Sequence, residues 1–456
     1  MKIIMIIVII CLKAFITFSQ VNDSITIKKI IDETMINGTA YENLRMLCKQ
    51  VGPRLSGSPQ YLKAVTLTVK MMKAAGADTV YLQQCMVPHW IRGDKETGQI
   101  ILPSGKKYEL KLCALGNSIG TGGKGITASV IEINSIKQLD SVGVKTIKGK
   151  IVFFNFPMNP AFIRTFNAYA ESGVSRVYGP ALAAKYGATG AIVRSLASNP
   201  DNFPHTGVTV YNDSFPKIPA VAISTNDADY ISKLLRNGSK VLAYFRTTSK
   251  MLPDTPGYNV IGEKRGIQFP EEIITVGGHL DSWDLAEGAH DDGAGVVQSM
   301  EVLRAITSSG IPLKRTVRAV LFANEENGGR GAVKYLNVAK ANNEQHIFAI
   351  ESDAGGFTPR GFGLEMNDEK INKILQWKDL FHPYGVFEIG AGHSGSDVEP
   401  LKEIGTPLAG LNPDSQRYFD IHHAVTDVFE NVSRRELHLA AGVMAALVYL
   451  VSEYGL

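Results

Sequence analysis

The sequence predicts an α/β fold: a mostly parallel, mixed sheet flanked by helices, interrupted by a smaller β-rich domain. Three observations carry that expectation. From Tyr258 onward, short apolar runs alternate with helical patterns in strand–loop–helix order, as in chains that build a parallel sheet. From about Gly120 to Lys250 the texture shifts to short β-branched runs divided by glycines. The chain has 456 residues, 45% apolar and 20% charged, which suits a few packed domains and excludes a disordered or collagen-like chain.

The N-terminus has Lys2, an unbroken apolar stretch Ile3–Leu12, then Lys13 and the weakly polar Ala14–Gln20. A charged start, a short apolar stretch and a polar exit describe a secretory signal peptide. Residues 1–20 are therefore expected to be a leader cut near Ser19–Gln20, and the protein to be secreted or periplasmic. Cys11 lacks the small preceding residues of a lipidated cysteine, because Ile9 and Ile10 stand there. Residues from Asn22 to Lys49 have helical spacing, Val51–Pro59 is a Gly/Pro-punctuated loop, Tyr61–Ala75 is helical and a strand begins near Val80. The middle region offers strands at Ile126–Ile133, Ile151–Asn155, Ala191–Val193 and Ala220–Ile223. Helices are expected there near Ala181–Tyr186 and Asp227–Leu235, and Met251–Pro256 reads as a linker. Beyond it, strands are expected at Ile273–Val276, Val317–Phe322, Ile347–Ile350 and Pro407–Leu411, with helices at Ala294–Ile306, Ala332–Ala339 and Arg435–Val451. The expected division is a leader (1–20), a main domain of 21–119 joined to 251–456, and an insert of 120–250.

Charge and cysteine usage narrow the function. The formal net charge is only +3, and two of the lysines behind it, Lys2 and Lys13, lie in the leader. Nucleic-acid binding needs a concentrated basic face, so nucleic acid is not an expected partner. The sequence has no apolar run of about 18 residues, so no membrane span is expected. Cys48, Cys85 and Cys113 are too few for a disulfide framework; they allow at most one bridge, of open pairing, and read by default as small buried hydrophobes. The sequence has no His-Glu-x-x-His, phosphate loop or Gly-x-Ser-x-Gly elbow. Gly392-His-Ser-Gly-Ser396 reads as a mobile loop, and His89, His205, His346, His382 and His438 as surface or core residues.

What remains is a set of polar groups at strand ends, where α/β sheets carry their chemistry. Ile273–Val276 runs into Gly277-Gly-His-Leu-Asp281, Val317–Phe322 into Ala323-Asn-Glu-Glu326, and Ile347–Ile350 into Glu351-Ser-Asp353. His290-Asp-Asp-Gly293 opens a helix, and Phe419-Asp-Ile-His-His423 follows the last strand. Histidines and carboxylates without cysteine suit a two-metal site, in which one carboxylate bridges the ions. In the pair Glu325-Glu326, one acid can ligate while its neighbour takes a proton.

At these residues the chain resembles the secreted dinuclear zinc exopeptidases of the aminopeptidase Y and glutamate carboxypeptidase family. Gly277-Gly-His-Leu-Asp-Ser282, Gly288-Ala-His-Asp-Asp-Gly-Ala-Gly295, Asn324-Glu-Glu326, Ser352-Asp353 and His423-x-x-x-Asp427 match its ordered motifs. Gly52–Ser58 matches the start of its catalytic domain, 120–250 resembles its inserted protease-associated domain, and Val87-Pro-His-Trp-Ile-Arg-Gly93 resembles its carboxypeptidase Q branch. The resemblance implies a zinc-exopeptidase fold of the phosphorylase/hydrolase-like type, two zinc ions as cofactors and short peptides as substrates, and it allows a homodimer. It assigns metal binding to His279, Asp291 (the bridge), Glu326, Asp353 and His423. It makes Glu325 the general base and gives Asp281 the task of fixing the His279 tautomer. Asp292 stays open as an alternative bridge. His422, standing where several relatives have Tyr, stays open as an oxyanion partner.

The implied activity is hydrolysis of short peptides or dipeptides by a water held between two zinc ions. The choice among carboxypeptidase, aminopeptidase and dipeptidase is left open by the motifs, as is side-chain preference. Two other classes are weighed: a single-zinc glutaminyl cyclase, against which the five-ligand set and the insert count, and a metal-free receptor ectodomain, against which every ligand being present counts.

Overall fold

A computed structural model describes residues 21–456 of the chain; the expected leader lies outside the described residues. Two eight-stranded mixed sheets organise it. The first runs, in spatial order, Thr79–Ile91, Lys250–Lys264, Arg315–Phe322, Phe269–His279, Gln345–Glu351, Leu408–Pro413, Pro359–Glu365 and Glu388–Ala391. Its four central strands, Arg315–Phe322 to Leu408–Pro413, are mutually parallel. They are buried on both faces and rich in Val, Ile, Leu and Phe, as covered parallel strands are. Phe269–His279 lies mid-sheet: the chain leaves it to pair first on one side, with Arg315–Phe322, and later on the other, with Gln345–Glu351. That reversal is the topological switch point beside which open α/β sheets bind their ligands.

The second sheet runs Lys107–Glu109, Thr97–Ile101, Leu242–Arg246, Ile126–Ile133, Ile151–Phe154, Gly190–Arg194, Ala220–Ile223 and Leu112–Ala114. It therefore begins near residue 97, ahead of the expected boundary at 120. The strands between Thr97 and Ala114 are only three to five residues long, and Lys107–Glu109 is exposed throughout, so their apolar pattern is too weak to signal membership. This unit is also not simply β-rich, because helices Thr165–Val177, Gly179–Lys185 and Thr225–Arg236 belong to it. Met251–Pro256, expected as a linker, lies within the strand Lys250–Lys264. Over the proline-bearing half, that strand pairs only with Thr79–Ile91, and an edge without a second partner tolerates a missing N–H.

Helices cap the first sheet. Ser58 Oγ accepts the Tyr61 N–H at 3.1 Å with Pro59 in the first turn, a capped start for Pro59–Ala74. Helix Ala294–Ser308 is buried nearly throughout and packs on Arg434–Tyr454. The latter is long and apolar enough to cross a membrane by length and composition, which a search for unbroken apolar runs does not register. It is 83% buried over its apolar window, as a core helix is. Cys48, Cys85 and Cys113 are free and buried; burial pushes their thiols up to about 12, 11 and 12.

Candidate metal centre

The carboxyl ends of the central strands meet the loops that follow them at the switch point. His279 ends its strand, and Gly278 before it packs where a Cβ would lie 2.4 Å from Asp292 Oδ2. Glycine there lets the loop carrying Asp291 and Asp292 close onto the sheet. Asn324, at φ 67°, turns the chain after Phe322 so that Glu325 and Glu326 both reach the centre. Asp353 follows the strand Gln345–Glu351, and His423, at φ 62°, comes from the turns after Leu408–Pro413.

Asp291 lies between two imidazoles. Its Oδ1 is 3.2 Å from His279 Nε2 and its Oδ2 is 3.1 Å from His423 Nε2. Each imidazole meets one further acid: Asp353 Oδ1 is 3.4 Å from His279 Nε2, and Glu326 Oε2 is 3.2 Å from His423 Nε2. Among the described residues, three groups bring their ligand atoms together: Asp291 with His422 and His423, His279 with Asp292 and Asp353, and His279 with Asp291 and Glu326; Asp291 is common to two of them. Burial works against charge on His279, but Asp353 and Asp291 override it and hold the imidazole well above its usual range. Burial would raise Asp291, yet the neighbouring imidazoles hold it well below the usual carboxylate range. A charge on His279 here stands where a cation would. Asp291 Oδ2 receives no well-angled hydrogen bond despite its 3.1 Å contact, so the donor set fits a metal better than it fits hydrogen bonding.

Asp292 is held otherwise. Its Oδ2 accepts the His279 N–H and its Oδ1 the Gly295 N–H, each at 2.9 Å, so its carboxylate braces the backbone. Asp281 departs from expectation: His279 Nδ1 meets the Asp281 backbone carbonyl at 3.0 Å, whereas its carboxylate stands off at 3.8 Å. The carbonyl thus supplies the contact expected of the carboxylate, which instead accepts the Glu325 N–H at 3.1 Å.

The two neighbouring glutamates differ. Glu326 is fixed, its Oε1 accepting the Trp283 N–H at 3.1 Å while Oε2 faces His423. Glu325 is only half-buried. Burial, opposed by His279 and reinforced by Asp353 and Asp291, pushes its carboxyl up to about 7, a poise suited to proton transfer near neutrality. His422 stacks on His423 at 3.6 Å, with Nε2 3.6 Å from Asp291 Oδ2. Burial first and the neighbouring His423 next push it well below its usual range, so it is neutral.

Other residues around the centre have no role assigned from sequence. Asp427 accepts the N–H groups of His290 and Asp291. Arg92, in the Val87–Gly93 stretch, grips Asp284 through Nε and Nη2 at 2.9 and 2.5 Å, next to Trp283. The insert reaches the centre through Thr206, whose carbonyl is 3.2 Å from His423 Nδ1, and through Tyr169 and Arg176. No periodicity links residues this far apart in the chain. The five histidines set aside above join none of the metal-capable groups among the described residues. In the Gly392–Ser396 loop, Ser394 is buried and donates to Glu365 at 2.7 Å, while Gly392, His393 and Ser396 are exposed; just beyond it, Glu351 accepts the N–H groups of Asp397 and Val398.

Comparison with known proteins agrees with this arrangement. The model of peptidase family M28 matches residues 259–448. Carboxypeptidase Q of Mus musculus is 33% identical over 445 residues, which cover 96% of this chain and 92% of that protein. A crystal structure of a peptidase M28 precursor from Shewanella amazonensis superposes with a TM-score of 0.91 at 30% identity, covering 95% of this chain and 97% of the other. A zinc aminopeptidase from Bacillus subtilis shares the fold, with a TM-score of 0.65 at 21% identity over 90% of this chain and 94% of that one.

Proposed function

The chain belongs to peptidase family M28 and is a metallopeptidase, and we propose that it works as an exported dinuclear zinc exopeptidase on dipeptides and other short peptides. One observation carries the reading: the two oxygens of Asp291 face two different imidazoles, each backed by its own further carboxylate. His279 and Asp353 would hold one ion, His423 and Glu326 the other, with Asp291 shared. Histidine with carboxylate and no thiolate is a zinc-type donor set. Bound there, two zinc ions would lower the pKa of a water and polarise the scissile carbonyl.

The residues supply the rest. The Asp281 carbonyl holds the proton of His279 on Nδ1 and leaves Nε2 free as a donor atom. The Trp283 N–H occupies Glu326 Oε1 and leaves Oε2 turned inward. Glu325, held by no such bond at its carboxylate, takes the proton of the attacking water and returns it to the leaving amine. Asp292, committed to two backbone amides, is a poorer bridge than Asp291.

Metal analysis beside a substrate panel tests this reading. The purified protein should carry two zinc ions per chain, lose turnover on chelation and regain it with zinc. It should cleave dipeptides with both ends free. An active preparation holding no tightly bound divalent metal would overturn the proposal, and an intact Met1 on the functional protein would overturn the export.

A further inference from the structure

Arg176, from the insert, is a buried cation without a counter-ion. It is 5% exposed, and no acid among the described residues forms an ion pair with it. Its Nη2 donates to Tyr169 Oη at 2.6 Å, its guanidinium lies over that ring at 5.3 Å, Nη1 is 3.4 Å from His423 Nδ1, and Nε has no acceptor. Arg54, also buried, donates instead to the carbonyls of Leu280, Glu287 and Gly288. A buried charge lacking such partners is costly. The position is nevertheless built: at Gly207, whose φ is 133°, a Cβ would lie 2.4 Å from the guanidinium carbon. Next to it, Nδ1 of His422 is a second buried polar atom without a partner, on a ring lying edge-on to Tyr169 at 5.0 Å.

The contact with His423 is the weak one. If Nε2 of His423 serves a metal, its proton sits on Nδ1, where the Thr206 carbonyl at 3.2 Å accepts it. A guanidinium only donates, so Nη1 then faces another donor. With Nε already free, two N–H groups of Arg176 are left for an anion. The terminal carboxylate of a leaving residue lies three bonds, roughly 4 Å, from the scissile carbonyl carbon. Arg176 stands one imidazole ring away from the metal-facing Nε2 of His423.

We infer that Arg176 binds the free terminal carboxylate of the substrate, with His422 Nδ1 beside it, so that the enzyme removes the last residue and rejects peptides whose carboxyl end is blocked. The inference rests on the exopeptidase reading above and adds the residue that selects the terminus.

The test compares one dipeptide, both ends free, with its carboxyl-terminal amide, on zinc-loaded wild type, Arg176→Met and Arg176→Lys. Wild type should strongly prefer the free acid. In Arg176→Met the KM for the acid should rise about 10²-fold, the scale of losing one partner of a buried charge pair, with kcat and the amide's constants changed little. Arg176→Lys, which keeps the charge, should recover part of the loss and serves as the readout if the Met variant does not fold. Zinc content should match wild type throughout. A wild type that cleaves the amide as well as the acid overturns the inference but leaves the exopeptidase standing, and so does a Met variant that keeps the preference. Should wild type cleave neither, the exopeptidase reading fails. Calorimetric binding of the uncleaved acid and amide to wild type and Arg176→Met then decides the role of Arg176, and equal affinities would overturn it.

Discussion

The backbone N–H of Glu325 donates to Oδ1 of Asp281 at 3.1 Å. The bond ties the turn carrying the proposed base to the loop that follows His279, and Asp281 Oδ2 has no partner of its own. Asp281→Ala leaves a buried N–H without an acceptor, at about 1–3 kcal/mol, and frees the turn. Turnover should fall roughly 10–100-fold, as for loss of an outer-shell support. Asp281→Asn, which keeps one oxygen for the N–H, should retain most activity. Zinc content should hold in both, because the Asp281 carbonyl, not its carboxylate, meets His279. Zinc loss in Asp281→Ala matching that of a His279 variant would contradict this division of labour.

Glu325 and Glu326 should respond differently to the same change. Glu325→Gln keeps shape but cannot take a proton, and turnover should drop by about 10²–10⁴ at unchanged zinc content. Glu326→Gln should lower zinc affinity, with activity partly restored by excess metal. His438, which accepts the Tyr41 N–H at 3.2 Å far from the centre, is the control: His438→Ala should leave zinc content unchanged. Bound zinc measured beside kcat for all three variants decides the matter, and retention of metal by Glu326→Gln with loss from Glu325→Gln would reverse the two roles.

A pH-linked contribution to stability sits at the other end of the sheet. Glu344 pairs with Arg318 at 2.7 Å and with His346 at 3.0 Å. Burial alone would raise its carboxyl, but His346 and Arg318 bring it from 4.5 down to about 2. For a depressed carboxylate, the stabilisation is complete above the unfolded value of 4.5 and is lost as pH falls toward 2. At 1.36 kcal/mol per unit the upper bound is on the order of 3 kcal/mol. Solvent screening at this partly exposed group reduces the figure, so urea unfolding of Glu344→Gln should show a fraction of that deficit at pH 7 and a shrinking one below pH 4. A deficit independent of pH would refute the linkage.

The proposed ligands were legible because each lies beside a strand end or turn that its neighbours announce, with apolar runs before and glycines after. His279, Glu326 and Asp353 need only the order of strands. Asp291 against Asp292 was not separable from pattern, since the difference is which carboxylate the amides of His279 and Gly295 capture. The role of the Asp281 carbonyl was hidden for a similar reason: a sequence names side chains, and here the backbone makes the contact. Tyr169 and Arg176, on the helix Thr165–Val177, and Thr206, in a loop, belong to the unit of the second sheet and meet His422 and His423 only through tertiary docking. The boundary at residue 97 and the strand through Pro253 and Pro256 were obscured by weak apolar patterns that pairing with neighbours overrides.

Asp427 entered the sequence reading only as a spacing mark after His423, and its position gives it a task. One oxygen accepts the N–H of His290 at 2.8 Å and the other that of Asp291 at 3.1 Å, so both acceptors are committed to the segment that presents the shared carboxylate. Replacing one oxygen by an NH₂ group sets a donor against a donor at one of these amides. Asp427→Asn should therefore disturb Asp291 despite its near-identical size. Loss of such outer support typically costs about 10–100-fold in metal affinity, and because Asp291 serves both donor groups, both zinc ions should weaken together. Glu326→Gln should weaken only one, which separates the two variants in a chelator competition titration. At saturating zinc the Asn variant should regain turnover to within a few-fold of wild type, since Glu325 and its bond to Asp281 are intact. Unchanged zinc affinity, or loss of a single ion, would show that the two amide contacts do not position Asp291.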